Sequence, residues 1–320
     1  VGSNALGSVV HGDMNGVQIT GLANLAGGTM RGVQLAGISN ISGNNTVGLS
    51  AAGLVNITGD RTQGVIISGL TSIGGDNTSG LMISGFMNVT GNMASGLHFS
   101  GAANITGQSF GGLMASGLLN VVGEHMNGLQ MAGIANITAS KLNGVQIALC
   151  NYATQARGLQ IGLVNYYKED MKGFQLGLVN ANPDTRVQMM VYGGNATPAN
   201  IGVRFKNQLF YTILGIGSMY QGLNDKFSAS ASYRAGLSFT LYKGLSISGD
   251  LGYQHIEAFD NKDEVIPKRL YALQARANLE YQITRKFGIY ATGGYGLTRF
   301  YNKSSNYDKG AIIEAGIVLF

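Results

Sequence analysis

Glycine recurs at every sixteenth position through Gly16, Gly32, Gly48, Gly64, Gly80, Gly96, Gly112, Gly128 and Gly144. A second row runs Gly21, Gly37, Gly53, Gly69, Gly85, Gly101, Gly117 and Gly133. A third is asparagine, at Asn24, Asn40, Asn56, Asn88, Asn104, Asn120 and Asn136, with Ser72 the single lapse. The unit reads G-[VL]-x-[ILMAF]-[TSA]-G-[LIFA]-x-N-[ILV] and closes on a small, glycine-rich link. Shortened copies follow at Gly144–Asn151, Gly158–Asn165 and Gly173–Asn180, each one residue tighter between Gly and Asn, which makes eleven units. A fixed short period predicts a solenoid. Helical coils are excluded, because each interior glycine costs about 1 kcal/mol relative to alanine.

Within the unit the side chains alternate, which predicts strands. Val17 and Ile19, Val33 and Leu35, and Val65 and Ile67 lie on one side, with Gln18, Gln34 and Ile66 on the other, which this reading turns outward. A second short strand follows at Leu22–Leu25. The expected fold is a two-sided parallel β-solenoid whose eleven coils, stacked at ~4.8 Å, reach roughly 50 Å. Stacking sets each row of identical side chains in register, so the asparagines become an amide ladder. Five of them (Asn40, Asn56, Asn88, Asn104, Asn136) begin N-x-S/T sequons, accidents of a repeat that buries them.

The two halves of the chain differ. Only Asp13, Arg31, Asp60, Arg61, Asp76, Glu124 and Lys141 are charged before Cys150, and only Phe86, Phe99 and Phe110 among Phe and Tyr. Residues 77–123 carry no charge at all, and apolar side chains at Ile66, Met82, Met87, Met114 and Leu119 form an expected outward belt. Such a belt fits burial against a partner, a second copy or lipid; the alternative is that Ser, Thr, Asn and Gly supply enough polarity for a solvated surface. Glycine and asparagine interrupt every apolar run short of the ~18 residues a transmembrane helix needs.

From Arg186 onward, alternating segments of about ten residues are separated by turns: 186–194, 200–206, 209–219, 228–241, 245–258, 269–283, 287–302 and 310–320. Tyr271, Leu273, Ala275, Ala277, Leu279 and Tyr281 share one face of the clearest segment, and Gln274, Arg276, Asn278, Glu280 and Gln282 the other. A sandwich would look the same locally. The links break the tie: Tyr242–Gly244 and Thr284–Lys286 are short, while 220–227, 259–268 and 303–309 are long and polar, alternating as the turns and loops of a transmembrane β-barrel do. The expected division is a solenoid over 1–182 and an eight-stranded barrel over 183–320. Arg234, Asp250, Arg276 and Glu280 point inward as ion pairs that fill a barrel of this size. Glu314 shares its parity with Val318 and Phe320, so either a bulge intervenes there or the apolar-out facing of that strand is wrong. A terminal Phe320 on a last amphipathic strand resembles the assembly signal of bacterial outer-membrane proteins. The sequence shows no signal peptide, as expected of a processed chain.

The units G-[LF]-Q-[IL]-G-L-V-N at Gly158–Asn165 and Gly173–Asn180 resemble the surface-repeat family of Bacteroidetes and spirochaete outer-membrane proteins, in which such repeats precede C-terminal amphipathic strands. The resemblance spans nearly the whole chain. It implies an outer-membrane location, at the cell surface, and carries no catalytic residues. An even strand count with Phe320 periplasmic instead puts the solenoid in the periplasm, so the side stays open.

No catalytic signature stands out. The single cysteine excludes a disulfide framework, four scattered histidines have no metal-ligand spacing, and the net charge of +5 forms no basic run, so neither cofactor nor nucleic acid is expected. His255 invites comparison with small barrel enzymes that edit membrane lipid, yet interfacial anchoring suits it better without a Ser and carboxylate beside it. His98, alone in its row, reads as a surface residue. The acidic run Asp260, Asp263, Glu264 includes Lys262 and lacks the spaced ligands of a Ca²⁺ loop. The partial row Thr58, Thr90, Thr106 and Thr138 is interrupted by Ala26, Gly74 and Val122, which sets ice binding aside. The expected role is non-enzymatic: a structural or scaffolding subunit of an outer-membrane assembly, with lipid around the barrel and a protein partner or second copy on the solenoid. The alternatives are a cell-surface adhesin, which lacks aromatic sugar platforms in residues 1–150, and an enzyme acting on membrane lipid.

Overall fold

A computed structural model describes residues 2–218, 227–259, 269–301 and 306–320. The chain divides into two compact units, Val1–Gly177 and Leu178–Phe320. All regular structure among the described residues is β, as a parallel solenoid of about eleven turns and a closed antiparallel barrel of eight strands.

Between Met14 and Ala132 each coil contributes a strand of seven or eight residues, such as Met14–Thr20 or Asn77–Ser84, and a four-residue strand, such as Ala23–Ala26; from Ala135 on, each short strand runs into the next long one, as in Ala135–Ile147. The strands pair in parallel with the next coil at the sixteen-residue offset, so Gly16 lies on Gly32 and Asn24 on Asn40. The glycine of the long strand is obligatory. Gly80 has φ +118°, and a Cβ there would stand 2.1 Å from the carbonyl oxygen of Gly64 in the coil below. The sequence therefore repeats glycine once per turn because the stack leaves no volume for anything larger. The shortened late coils lose the position that Gly133 fills at the corner, yet Asn136 still pairs with Asn151 and Asn151 with Asn165.

The alternation is real but the faces are reversed from expectation. Gln18, Gln34, Gln130, Gln146 and Gln160 are buried, whereas Ile19, Ile67, Ile83 and Met131 are exposed. The expected outward belt accordingly breaks up. Ile66, Met82 and Met114 lie inside the coil, at 3%, 1% and 0% exposure, and only Met87 and Leu119 remain outward and half-buried. Period two separates two faces without saying which is inside.

The barrel strands are Arg186–Gly194, Ala199–Asn207, Phe210–Ser218, Ser228–Tyr242, Leu245–Ala258, Arg269–Thr284, Phe287–Phe300 and Asn306–Leu319. The last closes on the first, with Val318 opposite Met190. Outward positions are apolar (Val187, Ile201, Leu237, Phe239, Leu251, Leu273, Leu279, Ile313), and inward ones combine polar and charged side chains with two apolar clusters. No bulge accompanies Glu314, which pairs in register with Thr292. Instead Val318 faces inward with it, packing with Met190, Tyr192, Tyr211, Ile213 and Tyr290, and Phe320 lies against that cluster. It is the apolar-out facing expected of this strand that fails at Val318, and not the ladder.

Candidate functional site

The interior of the solenoid is a set of hydrogen-bonded rows. Asn24 Nδ2 donates to Asn40 Oδ1 at 2.8 Å, Asn88 to Asn104 at 2.8 Å, Asn104 to Asn120 at 2.9 Å and Asn120 to Asn136 at 3.0 Å. The same amides reach a backbone carbonyl, as Asn104 does to Ala115 O at 2.8 Å and Asn56 to Ile67 O at 2.6 Å. Ser72 breaks the row without leaving it open. Ser68 Oγ lies 2.6 Å and Ser84 Oγ 2.9 Å from Ser72 Oγ, Ser84 Oγ donates to Asn88 Oδ1 at 2.6 Å, and Ser50 Oγ donates to Asn56 Oδ1 at 2.8 Å. The sequon asparagines are all buried, as are Thr58, Thr90, Thr106 and Thr138, so that threonine row faces the interior and not ice.

A second ladder was hidden in the row read as outward. Gln34 Nε2 donates to Gln18 Oε1 at 2.9 Å, and Gln146, Gln160 and Gln175 each donate to the glutamine of the preceding coil at 2.8 Å. Between these two stretches the row is filled by Ser50, Ile66, Met82, His98 and Met114. His98 is thus not a surface residue: it is 1% exposed, lies edge-on to Phe110 at 4.9 Å, and its Nε2 has no hydrogen-bonding partner. Burial lowers its pKa to about 4, so it is neutral at physiological pH.

Outside, the chemistry is inverted. A row of Leu22, Ile38, Leu54, Leu70, Phe86, Leu118, Ile134, Leu149 and Leu163 runs along the corner between the two strands, each more than two-fifths exposed. Only Ala102 interrupts it. Ile19, Ile67, Ile83, Leu97 and Met131 extend the apolar surface onto the long-strand face, and Leu25, Ile73 and Val164 onto the short-strand face. Charged side chains of this unit are confined to the opposite side. Asp60, Asp76 and Glu124 occupy one link position, Asp13, Arg61 and Lys141 the next, and Arg31, Arg157 and Lys172 the residue before the coil glycine, with Lys168, Glu169 and Asp170 in the last link.

In the barrel, ion pairs fill the interior. Arg234 is bidentate to Asp250 at 2.8 Å and 2.8 Å and approaches Glu314 at 3.6 Å, while Arg276 reaches Glu314 at 3.2 Å. Asp250 also accepts from Tyr211 Oη at 2.7 Å and from Asn278 Nδ2 at 2.8 Å. The inward facing expected of Arg234, Asp250, Arg276 and Glu280 is what the structure shows. Sequence reasoning missed Arg204, which grips Glu280 at 2.6 Å and 2.9 Å; its parity with Asn200 and Gly202 was the available signal.

At one rim His255 faces outward, as expected. Its Nδ1 lies 2.7 Å from Tyr301 Oη, which also bonds Tyr253, and its Nε2 lies 3.8 Å from Glu257. A carboxylate partner therefore exists two residues on, which sequence reasoning had not found. His255 and Glu257 line a groove of about 950 Å³ with Ile201, Ile216, Ala229, Ala231 and Ile317. No cluster of metal-ligating side chains occurs among the described residues. The acidic run 260–264 lies outside them.

No family model matches this chain, and no curated protein does. Among solved structures it is similar to the N-terminal β-barrel domain of Pseudomonas aeruginosa OprF, at 14% identity across 42% of this chain and 93% of that one; the TM-score of 0.28 is too low to argue from.

Proposed function

We propose that this chain is a non-enzymatic structural protein of a bacterial outer membrane, anchored by its barrel, whose solenoid acts as an accessory or scaffolding part of a membrane assembly. The observation that carries the reading is the closed barrel with Leu251, Leu273, Leu279 and Ile313 on its outer wall and buried ion pairs within. That arrangement suits a wall in hydrocarbon, where backbone groups must be paired and edges are absent. Arg186 and Phe320 lie at the end of the barrel that carries the two-residue turns between Tyr242 and Leu245 and between Thr284 and Phe287. In barrels of this kind that end is periplasmic, so the solenoid enters from the periplasm.

The test places an epitope tag in the link before Gly16 and follows it in fractionated cells. The chain is expected in the outer-membrane fraction, resistant to alkaline extraction, with the tag protected from protease on intact cells and cleaved after permeabilisation. Extraction by alkali would remove the anchoring. Cleavage on intact cells would put the solenoid at the surface, as the family resemblance implies.

A further inference from the structure

We infer that the solenoid is itself seated in a lipid leaflet, lying along the membrane plane with its corner row in the hydrocarbon and its charged link side toward water. This rests on the reading of the barrel as a membrane anchor. Four observations point to hydrocarbon as the occupant.

The first is the inversion. In water a chain gains by turning valine and isoleucine inward; here Gln34 and Asn40 are inside, and Ile38 and Ile67 are 43% and 40% exposed. Apolar surface continued over successive coils is of the kind that marks an interaction face and not a water-facing wall. The barrel wall of the same chain shows the same inversion.

The second is backbone pairing. Even corners and links bond along the stack: Leu54 N donates to Ile38 O at 2.9 Å, and Asp60 N to Asn44 O at 2.7 Å. The corner N–H groups of the inner coils thus find partners along the stack, as donors entering hydrocarbon must.

The third is dimension. From Val33 to the corner at Ile38 is five residues, about 16 Å of strand, against roughly 15 Å for the hydrocarbon of one leaflet. Every charge lies beyond that depth. Tyr152 and Tyr166, stacked at 5.8 Å on the short-strand face close to the link, occupy the boundary where tyrosine is favoured.

The fourth is irregularity of shape. The corner row changes size from Leu70 through Phe86 and Ala102 to Leu118, giving a rigid protein partner no repeating knob to match, whereas acyl chains conform to any such profile.

The test uses the full chain, with Cys150→Ser as background, reconstituted into phosphatidylcholine–phosphatidylglycerol vesicles. Nitroxides are attached through single cysteines at Leu54 and Leu118 on the corner, at Asn44 and Gln108 on the link side, and at Leu251 on the barrel wall as control. Collision rates with oxygen and with a water-soluble nickel chelate are then compared. Leu54 and Leu118 are expected to match Leu251, high for oxygen and several-fold lower for nickel than Asn44 and Gln108. Corner positions as open to nickel as Asn44, with Leu251 still shielded, would place the solenoid in water and overturn the inference alone. Corner positions shielded from both probes would overturn it in favour of a second copy packed on the ridge. A nickel-accessible Leu251 would overturn the anchoring on which it rests.

Discussion

At the scale of single residues, His98 is the position where the interior chemistry makes a measurable demand. Its ring sits between Met82 and Met114 in a row otherwise of amides, hydroxyls and apolar side chains, and its Nε2 is unpaired. Burial holds its pKa at about 4, below the 6.5 of an unfolded histidine. Between those values the unfolded chain binds the extra proton and the folded chain does not, so stability falls as pH drops. The contribution is complete above about pH 6.5 and lost by about pH 4, a difference of about 3 kcal/mol. The variant His98→Met continues the row of methionines and removes the titrating group. Urea unfolding of the full chain in micelles, at pH 7 and pH 4.5, is expected to show a midpoint that falls further for the parent than for the variant. Equal falls would mean that His98 is not the group that titrates.

At the scale of elements, the ladders are robust where hydroxyls flank them and brittle where they do not. Ser72 is tolerated because Ser68 and Ser84 close the gap. Asn104 has the same surroundings, with the Ser100 and Ser116 hydroxyls buried and otherwise unpaired on either side. Asn136 is flanked by Ala132 and Ala148, which have nothing to donate. Asn104→Ser is therefore expected to cost little, and Asn136→Ser about 1–3 kcal/mol more, the cost of buried polar groups left unpaired; thermal unfolding of the two variants decides, and equal losses would refute the compensation. The Asn ladder was legible in the sequence because Gly80 and its equivalents admit no Cβ, so the period is written once per turn. The Gln ladder was not. Alternation distinguishes Val17 from Gln18 without telling which is inside, and the usable clue was chemical: eleven coils place Gln, Ser, Ile, Met and His in that row, never a charge. The same ambiguity affected Val318, while Arg204 and Glu280 meet across strands 76 residues apart, beyond what local pattern can pair.

At the scale of the molecule, both units answer one physical problem, polar groups inside an apolar exterior, by different means. The solenoid pairs neutral amides with copies of themselves; the barrel pairs opposite charges. The second solution leaves a more sensitive interior, because half of an ion pair is worse than none. Arg204 and Glu280 are both nearly buried, and Gln188 accepts a further bond from Arg204 at 2.6 Å. Replacing Arg204 by alanine leaves the Glu280 carboxylate buried without its partner and is expected to cost about 3–5 kcal/mol. The double change Arg204→Met with Glu280→Leu fills similar volume without charge and is expected to be close to neutral. The temperature at which the folded, fast-migrating form converts to the unfolded one on gels reads both. A single variant as stable as the double would show that water reaches Glu280, and then the lumen is open and planar bilayers would record ion steps. A large drop in the single variant, rescued in the double, with no conductance in the parent, is what a barrel packed as an anchor requires.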